Sequence, residues 1–86
     1  MKDAGLQFPC RYTIKAMGRH NDTFAAHIGR LLKPHTGPVA PAQMTSRPSR
    51  NQRYLSVSVT IQARSRAQLD AIYQDLTDDP TVLMRL

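Results

Sequence analysis

The 86-residue sequence predicts a two-layer α+β domain in which two helices cover one face of an antiparallel sheet. Residues 54–63 alternate between apolar and polar side chains, which is the pattern of a strand with one buried and one wet face. Two other segments carry apolar residues at helical spacing. A sheet that is covered on one side leaves its polar face open, and that face is the first place to look for a function.

The first predicted strand covers residues 10–17. Its inward-facing side chains are expected to be Tyr12, Ile14 and Ala16. Gly18 is expected to end the strand, because glycine adopts the backbone angles that a sharp exit can need. Asn21 or Asp22 then offers a side-chain oxygen to the free amides of a first helix, which runs to about Lys33.

Prolines shape the middle of the chain. Pro34 is expected to stop the first helix, and three more prolines follow before residue 50. Because proline has no amide to donate to a sheet, the segment 39–47 is expected to be at best an irregular edge strand. Residues 48–52 are predicted to turn the chain into the strand at 54–63.

A second helix is predicted over residues 66–77, with Ser65 as its N-cap and Asp78-Asp79-Pro80 as its end. Its inward side chains are expected to be Leu69, Ile72, Tyr73 and Leu76. The last strand, at 81–86, is expected to place Val82, Met84 and Leu86 inward and Leu83 and Arg85 outward. The order of elements predicts a ferredoxin-like βαββαβ sandwich with the first and third strands at its centre.

Length, cysteine content and charge limit the class of protein. Residues 8–86 are expected to form one domain after a flexible segment at 1–7, because the chain is too short for a second core. The single cysteine, Cys10, favours a reducing, cytoplasmic setting, and no apolar run is long enough to span a bilayer. The net charge of +6 is carried by residues 1–50, so the chain either attracts an anionic partner or has an ordinary solubilising surface.

Several short patterns follow one another in an order that is specific as a set. They are Phe8-Pro9, Lys15-x-Met17-Gly18, the alternating segment 56–63, Ile72-Tyr73-Gln74-Asp75-Leu76 and Val82-Leu83-Met84-Arg85-Leu86. The set resembles the YbeD-like family of short bacterial proteins of unknown function, from residue 8 to residue 86. The resemblance implies a ferredoxin-like fold similar to ACT regulatory domains, a cytoplasmic protein without established catalysis, and a link to lipoate metabolism. The proline-rich segment 34–50 departs from the family pattern.

The open sheet face is the main candidate site. Its expected members are Arg11, Thr13, Lys15, Met17, Tyr54, Ser56, Ser58, Thr60, Gln62, Leu83 and Arg85. A polar, slightly basic face with a few apolar residues is expected to bind a protein partner, there or along an edge strand, and the alternative is an ordinary solvated face. Leu83 on an edge strand is compatible with a monomer or a weak homodimer.

The turn before the third strand is a candidate for contact with nucleic acid. Arg47, Arg50 and Arg53 surround it and are spaced to hold phosphates without reading sequence, unless they belong to a plain solvated hairpin. Base stacking of the kind used by RNA-binding domains is not expected, because the wet positions of the third strand are serines and threonine, with only Tyr54 at its end.

The loop after the first strand is a candidate for a small ligand or an anion. It consists of Gly18, Arg19, His20, Asn21 and Asp22, and it precedes a helix start, where amides attract negative charge. The ACT resemblance implies ligand binding near the same loop. Acylphosphatases share the topology and hold phosphate here with an arginine, but their richer glycine loop and their third-strand asparagine are missing from this sequence.

Neither a metal site nor a catalytic site is expected. His20, His27 and His35 are separated by seven and eight residues, which does not match close ligand spacing, and the six aspartates form no recognisable catalytic pair. The sequence therefore predicts a regulatory or adaptor module that binds a protein partner and uses no cofactor. The alternative is weak, nonspecific nucleic-acid binding through the basic hairpin.

Overall fold

The structure is a computed structural model that describes residues 6–86. Its elements are β1 (Cys10–Arg19), α1 (Phe24–Thr36), a short 3₁₀ turn (Pro41–Gln43), β2 (Met44–Pro48), β3 (Tyr54–Ala63), α2 (Arg66–Asp78) and β4 (Met84–Arg85). The four strands form one antiparallel sheet in the order β2-β3-β1-β4. This is the predicted ferredoxin-like arrangement, with the first and third strands at the centre.

The two central strands, β1 and β3, form the longest ladder of the sheet. It runs from Cys10 opposite Ala63 to Arg19 opposite Tyr54. Because side chains alternate between faces, one face of this ladder is apolar and buried. Its buried residues are Ile14, Ala16, Leu55, Val57, Val59, Ile61 and Ala63. The alternation in the sequence therefore predicted both the strand and its buried side.

The two helices lie on that apolar face and close the core. Helix α1 buries Phe24, Ile28 and Leu32, and α2 buries Leu69, Ile72 and Leu76. Each such side chain contributes about 1.5–3 kcal/mol when it is fully removed from water. Ser65 caps α2 as predicted, since its hydroxyl accepts a hydrogen bond from the amide of Gln68 at 3.1 Å.

The prediction that Gly18 ends the first strand is wrong. Gly18 lies inside β1, opposite Leu55, and the strand continues to Arg19. A Cβ atom at Gly18 would lie 2.5 Å from the Phe24 ring and 2.6 Å from the carbonyl oxygen of Thr81. Glycine is needed here because neighbouring groups approach the backbone closely, and not because the chain turns.

The predicted boundaries of α1 are also wrong at both ends. Thr23, not Asn21 or Asp22, is the N-cap residue, and the Asn21 side chain instead accepts a hydrogen bond from the Thr23 amide at 2.9 Å, in the turn that leads into the helix. Pro34 lies within the helix, which runs on to Thr36. Its missing amide costs one bond of the last turn, and the helix ends where Gly37 adopts a positive φ of 80° and donates to the Lys33 carbonyl.

The proline-rich segment forms an ordered edge. Strand β2 pairs with β3 only, which confirms the edge position, although it begins at Met44 and not at residue 39. The 3₁₀ turn that precedes it is held by Gln43, whose side-chain amide donates to the Thr60 carbonyl at 3.1 Å. Val39 and Met44 pack against the core from this side.

Val82 packs against the core as predicted, but the predicted faces of residues 83–86 are reversed. Arg85 lies opposite the inward-facing Ala16, and Met84 lies opposite Met17 on the open face. Only two residues of the segment 81–86 are in strand conformation, because the irregular stretch before them shifts the alternation by one residue. Leu83 therefore borders a hollow beside Phe24 at the start of α1, and Leu83 and Arg85 are not members of the open face.

The ends of the predicted domain need one adjustment. Leu6 packs against the core, so packing begins before residue 8, where the domain was predicted to start. Residues 1–5 of the predicted flexible segment lie outside the described residues. Within residues 6–86, neither helix has the length and apolar character required to cross a membrane.

Candidate functional site

The open face of the sheet carries the side chains of two complete rows across its four strands. Residues that lie opposite one another on antiparallel strands share a face, so each row can be read from the register. One row is Arg47, Ser56, Met17 and Met84, and the next is Thr45, Ser58, Lys15 and Leu86. Of the predicted members, Arg11, Thr13, Tyr54, Thr60 and Gln62 lie on the same face further along β1 and β3. Four residues that the sequence did not predict here also belong to the face: Thr45, Arg47, Met84 and Leu86.

A shallow depression lies among the polar side chains of these rows. Its volume is about 440 Å³, and we call it the basic depression; it is lined by Lys15, Thr45, Ser46, Arg47, Ser56 and Ser58. Lys15 and Arg47 stand on either side of β3, whose two serines form the floor. None of the residues of the two rows is buried, so the face is open to solvent.

An apolar patch adjoins the basic depression on the β4 side. It consists of Met17, Met84 and Leu86, of which Met84 is 52% exposed and Leu86 is 69% exposed. The Leu86 backbone is fixed beside Lys15 by two hydrogen bonds, and the Tyr73 hydroxyl donates to the Leu86 carbonyl at 2.7 Å. Burial and the neighbouring Tyr12 hydroxyl raise the pKa of Tyr73 far above its ordinary value, so Tyr73 acts here as a neutral donor. The patch is held in place by the fold although it is exposed.

Among the described residues, the acidic side chains are confined to the helix layer and its borders, whereas cations occur on both layers. The open face carries the cations Arg11, Lys15, Arg19 and Arg47 and, among the described residues, no acidic side chain. The described acidic residues lie before α1, on α2 or just after it; they are Asp22, Asp70, Asp75, Asp78 and Asp79. A face with one sign of charge attracts ligands of the opposite sign.

Comparison with known proteins identifies the family. Residues 3–86 match the family described as "Protein of unknown function (DUF493)". The chain belongs to this family. It is 40% identical over 81 residues to a UPF0250 protein of Nitrosomonas europaea, covering 94% of this chain and 93% of that protein. It is 39% identical over 81 residues to a UPF0250 protein of Chromobacterium violaceum, covering 94% and 91%. The resemblance to the YbeD-like family is therefore confirmed.

A solved structure supports the fold of this DUF493 chain. The solution structure of protein HP0495 from H. pylori superposes with a TM-score of 0.74, covering 100% of this chain and 94% of that one. The two sequences are 18% identical, so the likeness concerns the fold alone. The DUF493 family has no established activity, and the site has to be interpreted from its own geometry.

The three arginines of the basic hairpin lie in two different places. Arg47 lies on β2 and faces the basic depression, whereas Arg50 and Arg53 lie in the turn after it. The turn is organised by Ser49 and Asn51, since the Ser49 hydroxyl accepts from the Tyr54 amide at 3.0 Å and the Asn51 side chain accepts from the Arg53 amide at 3.2 Å. The hairpin therefore presents two arginines in the turn and one on the open face.

The predicted ligand loop of the DUF493 chain is used to hold the hairpin. Both the amide and the ring of His20 donate to carbonyls of the hairpin turn, to Arg53 at 2.9 Å and to Gln52 at 3.0 Å. Arg19 and Gly18 belong to β1, and the carboxylate of Asp22 is exposed just before α1. Its negative charge opposes the binding of an anion at the start of this helix. Binding of a small ligand at this loop stays a prediction.

The other two histidines link the helices to each other. His27 Nε2 lies 2.8 Å from Asp79 Oδ2, and His35 Nε2 lies 2.6 Å from Asp75 Oδ2. Partial burial raises the pKa of Asp79, but hydrogen bonds from the hydroxyl and amide of Thr81 and from His27 outweigh it and lower that pKa below its ordinary value. The paired residues are 52 and 40 positions apart in the chain, so no local pattern could have predicted them.

A buried glutamine completes the contact between the helices. Gln68 accepts from the Arg64 amide at 2.6 Å and donates to the His35 carbonyl at 2.9 Å, which joins the start of α2 to the end of α1. Across the part of the chain that the structure describes, no three histidine, cysteine or acidic side chains are grouped so that they could hold a metal ion. Gln68, His27 and His35 hold the two helices together through these hydrogen bonds.

Proposed function

We propose that this DUF493 protein is a small, non-catalytic regulatory or adaptor module that binds a protein partner through the open face of its sheet. The observation that carries the proposal is the apolar patch next to the basic depression. Exposed methionine and leucine side chains that are fixed beside hydrogen-bond donors resemble the composition of protein interfaces, where an apolar centre has a polar rim. Methionine also adapts its shape to different apolar partners.

The arrangement of the polar groups supports binding over catalysis. Catalytic acids and bases tend to have shifted pKa values in a cleft. The pKa of Tyr73 is raised and that of Asp79 is lowered, but both groups serve internal contacts. The open face offers cations, hydroxyls and thioethers in a shallow surface. Such groups can hold a partner, but they lack a paired acid and base.

A photo-crosslinking amino acid placed at Ser58 tests the proposal in cells. We expect it to capture one discrete protein, because Ser58 lies on the floor of the basic depression. The matched position is Gln74, which is exposed on α2, and it is expected to capture no such product. Met84→Asp in the same chain should weaken the Ser58 product by about fivefold, because it places a charge in the apolar patch.

Equal crosslinking from Ser58 and Gln74, or a Ser58 product that Met84→Asp leaves unchanged, would show that the open face is an ordinary solvated surface. Because the family resemblance implies a link to lipoate metabolism, enzymes that attach lipoate are the first captured partners to look for. A regulatory role would be supported if the partner's activity changed on addition of the protein.

The alternative function is weak, nonspecific binding of nucleic acid by Arg47, Arg50 and Arg53. It is favoured by the two arginines of the hairpin turn, which lie at the edge of a cationic face. A gel-shift assay with single-stranded and double-stranded oligonucleotides should then show binding that weakens steeply between roughly 50 and 200 mM salt, because binding to phosphates releases counterions. Arg50→Ala should weaken it further, and no shift at low salt would contradict this function.

A further inference from the structure

We propose that the basic depression receives a carboxylate-rich segment of the protein partner, with Lys15 and Arg47 as its two cationic contacts. The inference rests on the proposed function and specifies the chemistry of the partner. It combines the geometry of the depression, the state of its hydrogen-bond donors and the charge of the surrounding face.

The spacing of the two cations suits an extended acidic segment. Lys15 is on β1 opposite Ser58, and Arg47 is on β2 opposite Ser56. The two residues are therefore about 10 Å apart across β3 and offset by two residues, about 6.7 Å, along it. Alternate side chains of an extended segment are about 6.7 Å apart. Lysine and arginine side chains are long enough to lean across the serine floor and meet two such carboxylates. Ser56 and Ser58 then donate from below.

Within the described part of the chain, the donors of the depression are free of internal partners. Among residues 6–86, no hydrogen bond or ion pair engages the side chains of Lys15, Arg47, Ser56 or Ser58. The next row along the sheet is different, because Thr13 and Thr60 bond to each other through their hydroxyls at 3.0 Å. An arriving carboxylate therefore displaces only water at the depression. Hydrogen bonds between ionised groups are also roughly twice as strong as neutral ones.

The surroundings favour an acidic protein segment over nucleic acid. The face has no described acidic residue that would repel a carboxylate. The neighbouring apolar patch of Met17, Met84 and Leu86 can receive aliphatic side chains of a protein, and it offers nothing to a phosphate backbone. Among the described residues, Tyr54 is the one aromatic side chain on this face that could stack on a base.

A peptide titration followed by NMR tests the inference directly. The probe is a short peptide in which glutamate alternates with leucine, and its control has glutamine in place of glutamate. We expect chemical-shift changes at Lys15, Arg47, Ser56 and Ser58 with the glutamate peptide only. The double variant Lys15→Glu/Arg47→Glu should bind it at least about tenfold more weakly, since two favourable contacts become repulsive.

A matched variant separates this site from the effect of overall charge. Arg30→Glu/Lys33→Glu changes the net charge by the same amount on α1, beside the groove that the proline-rich segment forms. It should keep the affinity within about twofold. Lys15→Gln/Arg47→Gln is a milder second variant, expected to lose about fivefold, and thermal melts confirm that each variant is folded.

Three results would overturn the inference. They are equal binding of the glutamine peptide, equal loss in the α1 variant, and tighter binding of a single-stranded oligonucleotide to the same four residues. The Ser58 crosslinker distinguishes failure of the acidic-segment inference from failure of the proposed docking function. If Lys15→Glu/Arg47→Glu still captures the same partner as the parent chain, docking stands and the acidic segment is wrong. If the parent chain captures nothing from Ser58, both are wrong.

Discussion

The two sides of the sheet differ in whether their polar groups have hydrogen-bond partners within the chain. On the helix side, the polar groups that reach the interior are matched within the chain, as Gln68 shows by joining the start of one helix to the end of the other. No buried side-chain nitrogen or oxygen in residues 6–86 lacks a partner. On the open side, the cations and serines of the basic depression have no partner among these same residues. The difference indicates that the helix side maintains the fold and that the open side is free to bind.

The largest change in stability is expected in the core, and two neighbouring residues of β1 allow the two sides of the sheet to be compared. Ile14 is buried in the core and Lys15 is exposed on the open face. Ile14→Ala should lower the free energy of unfolding by about 2–5 kcal/mol, because it leaves a cavity among packed side chains. Lys15→Ala should change it by less than about 0.5 kcal/mol. Urea unfolding measures both, and similar losses would contradict the division between the two sides.

The sequence predicts the buried and open faces of some strands better than those of others. The strict alternation of β3 predicted its buried and open sides correctly, because ten consecutive residues follow one period. In β4 the same rule failed, since only Met84 and Arg85 are in strand conformation and two residues do not establish a phase. The apolar patch was therefore missed, although Met17 had been placed on the open face.

The contacts between elements lay beyond any local pattern. His27 and Asp79 are brought together only when the two helices pack, and Gly18 is required only because the Phe24 ring and the Thr81 carbonyl come close. The basic depression could not be predicted, because Arg47 lines it only in the observed register of β2. From the sequence, Arg47 was expected to belong to the basic hairpin. A single sequence does not show which distant residues pair, so the strand register and these contacts could not be predicted from it.

Gly18→Ala should have the next largest effect and tests the close approach beneath the sheet. A methyl group there would overlap the Phe24 ring and the Thr81 carbonyl, so we expect a loss of about 1–3 kcal/mol. Gly29→Ala is the matched control, because its Cβ would meet only Met44 at an ordinary 3.5 Å and alanine favours the helix. Thermal melts should show opposite signs, and a neutral Gly18→Ala would contradict the packing described here.

Acidification should weaken the helix side through Asp79, whose carboxylate is 12% exposed. Because the folded pKa of Asp79 is below its unfolded value, its contribution to stability is complete above about pH 5 and is lost as the pH falls through the folded pKa, below about pH 4. Asp79→Asn should therefore be less stable than the parent at pH 6, by about 1 kcal/mol, and the gap should close toward pH 2.

The control for Asp79→Asn is Asp70→Asn. Asp70 is 67% exposed, and its contact with Arg66 is a surface pair within α2 with a separation of 3.4 Å. Such pairs contribute little to stability, so this variant should follow the parent at every pH to within about 0.5 kcal/mol. A gap between the parent and Asp79→Asn that does not change with pH would show that the Asp79 charge is not responsible.

An effect on stability as small as that of the surface controls is expected at Met84, and this prediction tests whether the apolar patch serves binding or the fold. A methionine that the core required would cost about 2–5 kcal/mol when truncated. Met84 is 52% exposed on an edge strand of two residues, so Met84→Ser should lower the free energy of unfolding by less than about 0.5 kcal/mol. Chemical unfolding with a fluorescent or circular-dichroism signal can resolve that difference. If Met84→Ser leaves stability intact but weakens capture at Ser58, the exposed thioether serves binding. If it destabilises the chain as much as Ile14→Ala, the apolar patch belongs to the fold.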